Sequence, residues 1–423
     1  MEAIADALAQ SDYEIVCLQE VWVYSNFELI RHRTKRRLPY AKFYHSGIVG
    51  GGLVILSRYP ILEVTHHPYR LNGLPIKVTH GDWYSGKGVA SALIDHPVAG
   101  VIEVFNTHTH AGYGSQKNDI YLAHRVSQAW EIANLLKNSA SRGRNVIAMG
   151  DFNSEPDSIL HKLIVQHGQV ADAWQAQHPS TPASATSGSS MNTWSKNYSS
   201  KESALNSDLG KRIDYVFYRK TSRFWCTGSR VVFTDLIPEL KCSYSDHFGV
   251  EATFTLVGRD KNSVIPLSIW EQAAYDNVQE FEPLIYKTIL TLFRQDTANA
   301  ISNARFQLTL FWISCLLVIC GIIIESLIAA NVLDALWLSV IILLIVTGFA
   351  VFGTIIGLIG FLFGNAEERG FKHIIQEVES FIEGKKEYDS RRASAVTQED
   401  NFSSDRSEGF GPLVEIDGRN QIY

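Results

Sequence analysis

Hydrophobic positions follow two regimes along this chain. Up to about residue 256 they come in short runs or spaced stripes; over 308–330 and 335–363 they are nearly unbroken. In the first regime, Ile4 and Leu8 share a stripe with their neighbours, which predicts a helix over the opening nine residues. Glu14–Leu18 predicts a strand that stops at Gln19 and Glu20, and Leu53–Leu56 predicts another just after Gly50, Gly51 and Gly52. Val101–Phe105 runs into Thr107, His108, Thr109 and His110, while Asn145–Met149 runs into Gly150 and Asp151. Between these, Leu122, Val126, Ala129, Ala133 and Leu136 alternate at four and three, predicting a helix over 119–137. Residues 176–210, rich in Ser, Ala, Thr and Asn, read as a long loop. Strands return at Ile213–Tyr218, Arg230–Phe233 and Val250–Leu256. The expected fold class is α/β, a two-layer sandwich of mixed β-sheets flanked by helices.

The two long runs call for a different solvent. A membrane-spanning helix needs about 20 apolar residues, and both runs reach that length. Glu325 near the end of the first and Asp334 between the two fall at an interface, away from mid-bilayer. Gly353, Gly357 and Gly360 give the second run a small-residue face for close helix packing. Arg294 and Arg305 precede the runs, Arg369 and Lys372 follow them, and the intervening turn has no Lys or Arg. Positive flanks stay in the cytosol, so both ends of the chain are expected there. The expected organisation is a folded domain over 1–258, a juxtamembrane connector over 259–305, a transmembrane helical hairpin over 306–363 and a cytosolic, largely disordered tail over 364–423.

Charge narrows the partners. Residues 1–260 carry 26 Lys/Arg against 24 Asp/Glu, too near neutral for a broad surface that holds a nucleic-acid backbone. The one basic cluster, Arg31, Arg33, Lys35, Arg36 and Arg37, reads as a solvated helix end or as a contact for anionic phospholipids. The cysteines stand singly at Cys17, Cys226, Cys242, Cys315 and Cys320, with neither paired spacing nor zinc spacing. That favours a reducing compartment, in which the sequons at Asn197 and Asn401 go unused.

The polar clusters at the strand ends hold what metal-assisted phosphodiester hydrolysis requires. Charge must be neutralised, water must lose a proton, and the departing alkoxide must be stabilised. Glu20 suits a hard cation such as Mg²⁺, which takes oxygen ligands and often only one or two carboxylates plus waters. Asp151 and Asn153, two apart on a glycine-preceded turn, can orient water, pass a proton or donate to a phosphate oxygen. His108 and His110 share a strand face by alternation, one suited to catalysis and the other to burial. His247 offers a base whose tautomer needs a carboxylate partner, either Asp214 or the adjacent Asp246.

Taken in this order, the clusters resemble the endonuclease/exonuclease/phosphatase superfamily and, within it, the membrane-anchored neutral sphingomyelinases. The likeness is carried by Leu18–Trp22 (LQEVW), Leu71–Gly73 (LNG), His80–Lys87 (HGDWYSGK), Gln116 and Lys117, Tyr121–Glu131 (YLAHRVSQAWE), Arg212–Phe217 (RIDYVF) and the terminal pair of apolar runs. It covers residues 1 to about 363 and implies a deoxyribonuclease-like sandwich. It further implies Mg²⁺-dependent hydrolysis of sphingomyelin, or a related choline phospholipid, to ceramide and phosphocholine at a lipid bilayer, with the endoplasmic reticulum or Golgi as the expected membrane. By motif, Glu20 corresponds to the metal ligand, His247 to the general base and Asp214 to its orienting partner. Asp151 and Asn153 correspond to the acid or water-positioning and phosphate-binding pair, and His108 to the histidine that stabilises the transition state. Asp82 and Lys87 correspond to a pair that switches substrate access. His110 has no counterpart in the related soluble sphingomyelinases.

The resemblance also sets an expectation at the start of the chain. The family opens with a strand carrying an Asn metal ligand, and this sequence begins in the helix after it, so the domain is expected to be N-terminally incomplete. Other readings stay open: a lysophospholipase C acting on lyso-platelet-activating factor or lysophosphatidylcholine, a tethered nuclease, and a degenerate non-catalytic membrane scaffold.

Overall fold

The computed structural model describes residues 1–113, 119–181, 184–196, 198, 210–256, 282–331 and 336–406. Gln116, Lys117, Asn197, the first half of the connector (259–281) and the turn 332–335 lie outside the described residues. In chain order the elements are α1 (Glu2–Gln10), β1 (Ile15–Leu18), α2 (Tyr24–Thr34), β2 (Tyr40–Tyr44), β3 (Leu53–Ser57), β4 (Ile61–Pro68), the single-turn α3 (Asp82–Ser85), β5 (Gly88–His96) and β6 (Gly100–His108). They continue with α4 (Leu122–Ser141), β7 (Asn145–Asp151), α5 (Ile159–Gly168), β8 (Ala171–Asp172), α6 (Ala173–Gln177), β9 (Asp214–Tyr218), β10 (Phe224–Val232) and β11 (Gly249–Leu256). Each strand expected from the pattern is present. The helix expected over 119–137 is shifted to Leu122–Ser141, because Asp119 accepts the backbone N–H groups of Tyr121 and Leu122 and holds a turn ahead of it.

One layer is a six-stranded mixed sheet in the order β4-β5-β6-β7-β9-β8; the other comprises β1-β3-β2 and the pair β10-β11. The core between the layers is built from the inward positions of both, including Leu53, Ile55, Ala92, Val104, Ile147, Val216 and Phe224. On β3 the alternate residues Val54 and Leu56 face the other way, onto Ala5, Leu8, Phe27 and Ile30 of α1 and α2. This is the period-two alternation of a strand buried on both faces. Among the described residues β1 pairs only with β3, so it is an edge strand.

The registers of three neighbouring strands set the site. β6 and β7 run parallel with His108 opposite Asp151, and β7 and β9 run antiparallel with Asp151 opposite Asp214. Three polar residues therefore stand side by side where their strands end. Close approach here depends on Gly150, whose φ is 147° and where a Cβ would lie 1.9 Å from the carbonyl oxygen of Thr107. Any side chain at Gly150 would push β6 and β7 apart and separate His108 from Asp151.

Beyond the sandwich, α7 (Pro283–Asn331) and α8 (Leu336–Leu358) are both long and apolar enough to cross a membrane. A π-helical turn, Ile359–Phe363, joins α8 to α9 (Gly364–Arg406). The glycine face packs as its spacing predicts: a Cβ at Gly353, Gly357 or Gly360 would come within 3 Å of Ser314, Phe311 or Gln307 of α7. Outward apolar side chains stay bare, with Leu316 60 % and Leu344 67 % exposed. A soluble hairpin would bury such residues; a bilayer solvates them.

One expectation is corrected. The segment 364–406 is helical, where composition predicted a largely disordered tail. Pairs spaced four apart, His373–Glu377, Lys385–Asp389 and Glu387–Arg391, lie along one helix and support it. The chain divides into two units, Met1–Phe371 and Lys372 onward. The basic cluster at the end of α2 is solvated and paired within the chain, Arg33 with Asp6, Arg37 with Asp12 and Arg31 with Glu28.

Candidate active site

Glu20 leaves the end of β1 in a left-handed conformation (φ 57°), and its carboxylate is half exposed. The turn is held by the Val21 N–H donating to the carbonyl of Gly52, 3.0 Å. Behind it, the fully buried Asn106 of β6 donates to the carbonyls of Leu18 and Val54, both at 2.9 Å, and accepts from Gln19 at 2.7 Å. One side chain thus bolts the two layers together directly beneath Glu20.

His108 ends β6 with its Nε2 2.9 Å from Lys87 Nζ and 3.4 Å from Asp151, and its Nδ1 3.9 Å from Glu20. Lysine only donates, so Nε2 accepts and the proton sits on Nδ1. Burial, then the charge of Lys87, holds the imidazole well below its usual pKa, which keeps it neutral. Nδ1 is buried without a hydrogen-bond partner. An orphaned N–H donor beside Glu20 is poised for an anionic oxygen.

His110 lies past the strand end and does not join His108. Its Nδ1 is 2.7 Å from the carbonyl of Ala111 and 3.4 Å from Asp82, its ring packs on Tyr121, and burial lowers its pKa to about 4. Asp82 and Lys87 form a buried ion pair at 2.6 Å. Lys87 also donates to the carbonyl of Thr109 at 3.0 Å, and Asp82 accepts the Ala111 N–H at 3.2 Å. The pair is far from an exposed loop bridge, being wired into the segment that carries both histidines.

Asp151 is buried, and its pKa is raised to about 7, first by burial and then by the neighbouring charge of Asp214. Asn153 (φ 45°) donates its backbone N–H to Asp151 Oδ1 at 2.8 Å, and its side-chain amide reaches the carbonyl of Thr109 at 3.0 Å and Asp151 Oδ2 at 3.3 Å. In this geometry the Asn153 amide is spent on Asp151 and Thr109, while His108 Nδ1 is left without a partner. Arg125, paired with Asp119, fixes the Asn153 carbonyl from α4.

His247 Nδ1 lies 3.0 Å from Asp214 and 4.0 Å from Asp151. Asp246 instead accepts from Ser245, so Asp214 is the orienting partner. Burial opposes the imidazolium, but the hydrogen bond and charge of Asp214, with Asp151 and Asp246, outweigh it and raise the pKa to about 10. Thr186 couples the two: its hydroxyl accepts from the backbone N–H of Ile213 and Asp214, and its carbonyl accepts the Phe248 N–H at 2.7 Å.

All eight expected residues therefore meet at one rim: Glu20, Asp82, Lys87, His108, Asp151, Asn153, Asp214 and His247. Sequence reasoning missed Asn106, Arg125 and Thr186. Arg125 lies within the quoted YLAHR segment, and Asn106 two residues before His108; Thr186, in a Ser/Thr-rich loop, had no signal. The donor set fits a hard divalent cation. Glu20, Asp82, Asp151, Asp214 and Asp246 converge on Lys87 and His247, and Glu20 is itself raised by desolvation, with Asp246 and Asp82 adding and Lys87 and His247 opposing. Asp151, Asp214 and His247 also bring ligand atoms within 4.8 Å of one another. Asp214 and His247 already satisfy each other, which leaves Glu20 as the carboxylate open to a cation.

Comparison with known proteins agrees with this geometry. The profile of the Endonuclease/Exonuclease/phosphatase family matches residues 1–247. An inositol phosphosphingolipids phospholipase C of Schizosaccharomyces pombe is 36% identical over 397 residues, covering 89% of this chain and 88% of that protein. Its Saccharomyces cerevisiae namesake is 31% identical over 388 residues, covering 88% and 79%. Human sphingomyelin phosphodiesterase 2 is 36% identical over 255 residues, covering 60% and 59%. The chain belongs to the endonuclease/exonuclease/phosphatase family, as a phosphoric diester hydrolase.

Proposed function

We propose that this protein is a membrane-anchored phospholipase C for phosphosphingolipids, cleaving the bond between phosphorus and the ceramide oxygen. The observation that carries this reading is the side-by-side register of His108, Asp151 and Asp214, completed by His247 and Glu20, in a chain with two helices fit to cross a bilayer. His247, held through Nδ1 by Asp214, presents Nε2 to take a proton from the attacking water. Asp151, with a pKa near neutrality, delivers a proton to the departing ceramide oxygen. The free Nδ1–H of His108 donates to a phosphate oxygen. Bound at Glu20, Mg²⁺ would neutralise phosphate charge and oppose the protonation of His247, so that base function belongs to the loaded site.

Two headgroups compete. The sequence motifs lead with phosphocholine, hence sphingomyelin. The relatives aligned over nearly nine-tenths of this chain, membrane helices included, are named for inositol phosphosphingolipids, which favours a phosphoinositol headgroup. Lysophospholipids are the further alternative. The reading includes a cytosolic catalytic domain on an integral hairpin, in the endoplasmic reticulum or Golgi. The test is headgroup release by the full chain in mixed micelles with Mg²⁺, presenting inositol phosphoceramide, sphingomyelin, lysophosphatidylcholine and lyso-platelet-activating factor in parallel. Release from the two sphingolipids with ceramide as co-product supports the proposal. Turnover confined to the lysolipids, or none at all, contradicts it.

A further inference from the structure

A cavity of about 590 Å³ lies between the loop that follows β4 and the membrane end of the helical hairpin. On one side are Leu71, Asn72, Leu74 and Trp83; on the other are Leu310, Ile356 and Phe363. All belong to the same unit of the chain. The volume falls within the ~300–1,000 Å³ range of small-molecule sites, and apolar side chains dominate its walls.

The cavity backs onto the catalytic line. Trp83 packs edge-on against Phe363 with ring centres 5.0 Å apart, and its chain neighbour Asp82 holds Lys87, which touches His108. On the same wall, a Cβ at Gly73 would lie 2.5 Å from His110 Nε2, and His110 in turn is 3.4 Å from Asp82. A single layer of side chains separates this apolar space from the site. The exposed apolar residues Ile48, Ile76 and Val78 lie on the same loops.

We propose that this cavity holds a hydrocarbon chain of the sphingolipid substrate while its phosphodiester lies at His108 and His247. The inference rests on the phosphosphingolipid reading and names the tail subsite of that same active site. Its floor is made by the near end of the apolar hairpin, which on the proposed topology would give a lipid chain a route in from the bilayer. A diester must rise out of the headgroup plane to reach a buried histidine, and its chain loses bilayer contacts as it does so. An apolar slot at the interface, one side chain from the site, offsets that loss. The occupant is the substrate's chain and not a separate lipid, because the cavity shares its wall with the catalytic residues. A chain seated there would press on Trp83, and through Asp82 on Lys87, placing substrate length in register with His108.

The test uses the full chain in vesicles. Leu74→Trp and Ile356→Trp fill the cavity without touching a catalytic group. The expected result is roughly a tenfold loss of kcat/KM on long-chain phosphosphingolipid, carried by KM, with a short-chain analogue turned over as before. Equal loss on both substrates, or no loss on either, overturns the proposal. Photolabelling of the unsubstituted chain guards against misfolding of the variants. A phosphosphingolipid with a diazirine at its chain terminus, in phosphatidylcholine vesicles, should label 71–76 and 356–363 and be competed by unlabelled substrate. Labelling confined to the outer hairpin around Leu316 and Leu344, or equal labelling by a diacyl glycerophospholipid probe, overturns it. If no sphingolipid is hydrolysed, the catalytic reading fails by itself, and the labelling pattern still decides the tail site.

Discussion

Removing the charge of Lys87 separates what the buried ion pair does for folding from what it does for chemistry. Lys87→Met keeps the aliphatic stem and leaves Asp82, 2.6 Å away, without its partner. At an effective dielectric of about 20, two unit charges at that distance attract by about 6 kcal/mol. Desolvation of both groups cancels much of this in the intact pair. The single substitution leaves a carboxylate buried with no cation beside it and only the neutral donors Ala111 N–H and Tyr113 O–H, which costs about 3–5 kcal/mol. Asp82→Asn with Lys87→Met removes both charges, so most of the stability should return. Activity should not return with it. His108 Nε2 loses the donor that fixes its tautomer in either variant, and the unpartnered Nδ1–H is no longer enforced. The expected outcome is a deep fall in unfolding midpoint for Lys87→Met and near recovery in the double variant. Both should show a ten- to hundredfold lower kcat at temperatures where each is folded. The assay pairs tryptophan-detected urea unfolding in detergent with headgroup release. A double variant as unstable as the single, or one with wild-type kcat, would refute the reasoning.

Four other outcomes follow from the same geometry. His247→Ala should lower turnover by about two to four orders of magnitude with vesicle binding intact, and Asp214→Asn nearly as much; stopped-assay kinetics and vesicle sedimentation check this. Glu20→Gln should raise the Mg²⁺ concentration for half-maximal activity severalfold in a metal titration, and excess chelator should abolish turnover in the unsubstituted chain. In chelator, His247 should stay protonated up to about pH 10, because its native pKa is raised above the ordinary value, and Mg²⁺ should move that titration toward neutrality; imidazole NMR shifts report it, and an unchanged midpoint counts against a cation near Glu20. Activity that needs protonated Asp151 should decline as pH rises through about 7, and Asp151→Asn should remove this limb from the pH–kcat profile.

Much of the site was legible because each polar cluster sits at the boundary of a short apolar run. Polar residues at a strand boundary reach a sheet rim, and here β1, β6 and β7 stop, β9 starts at Asp214, and the loop ahead of β11 returns with His247. The residues alone leave Asp214 and Asp246 both open as partners of His247, and the motif resemblance points to Asp214; the link through Thr186 that ties the two distant segments has no signal in the sequence. Nor has the burial of Asp82 and Lys87, whose spacing fits an exposed loop equally well. His108 and His110 share an alternation parity, yet β6 stops between them and their environments diverge. The helix over Gly364–Arg406 was missed because charged composition alone does not distinguish a solvated helix from an unfolded tail.

The measurement that tests the account most directly is product analysis with a phosphosphingolipid in oxygen-18 water, run with Mg²⁺ and with chelator. Attack at phosphorus by water activated at His247 predicts oxygen-18 in the released phosphorylated headgroup, none in ceramide, and no product in chelator. Oxygen-18 in ceramide, or equal product without a divalent cation, would contradict it.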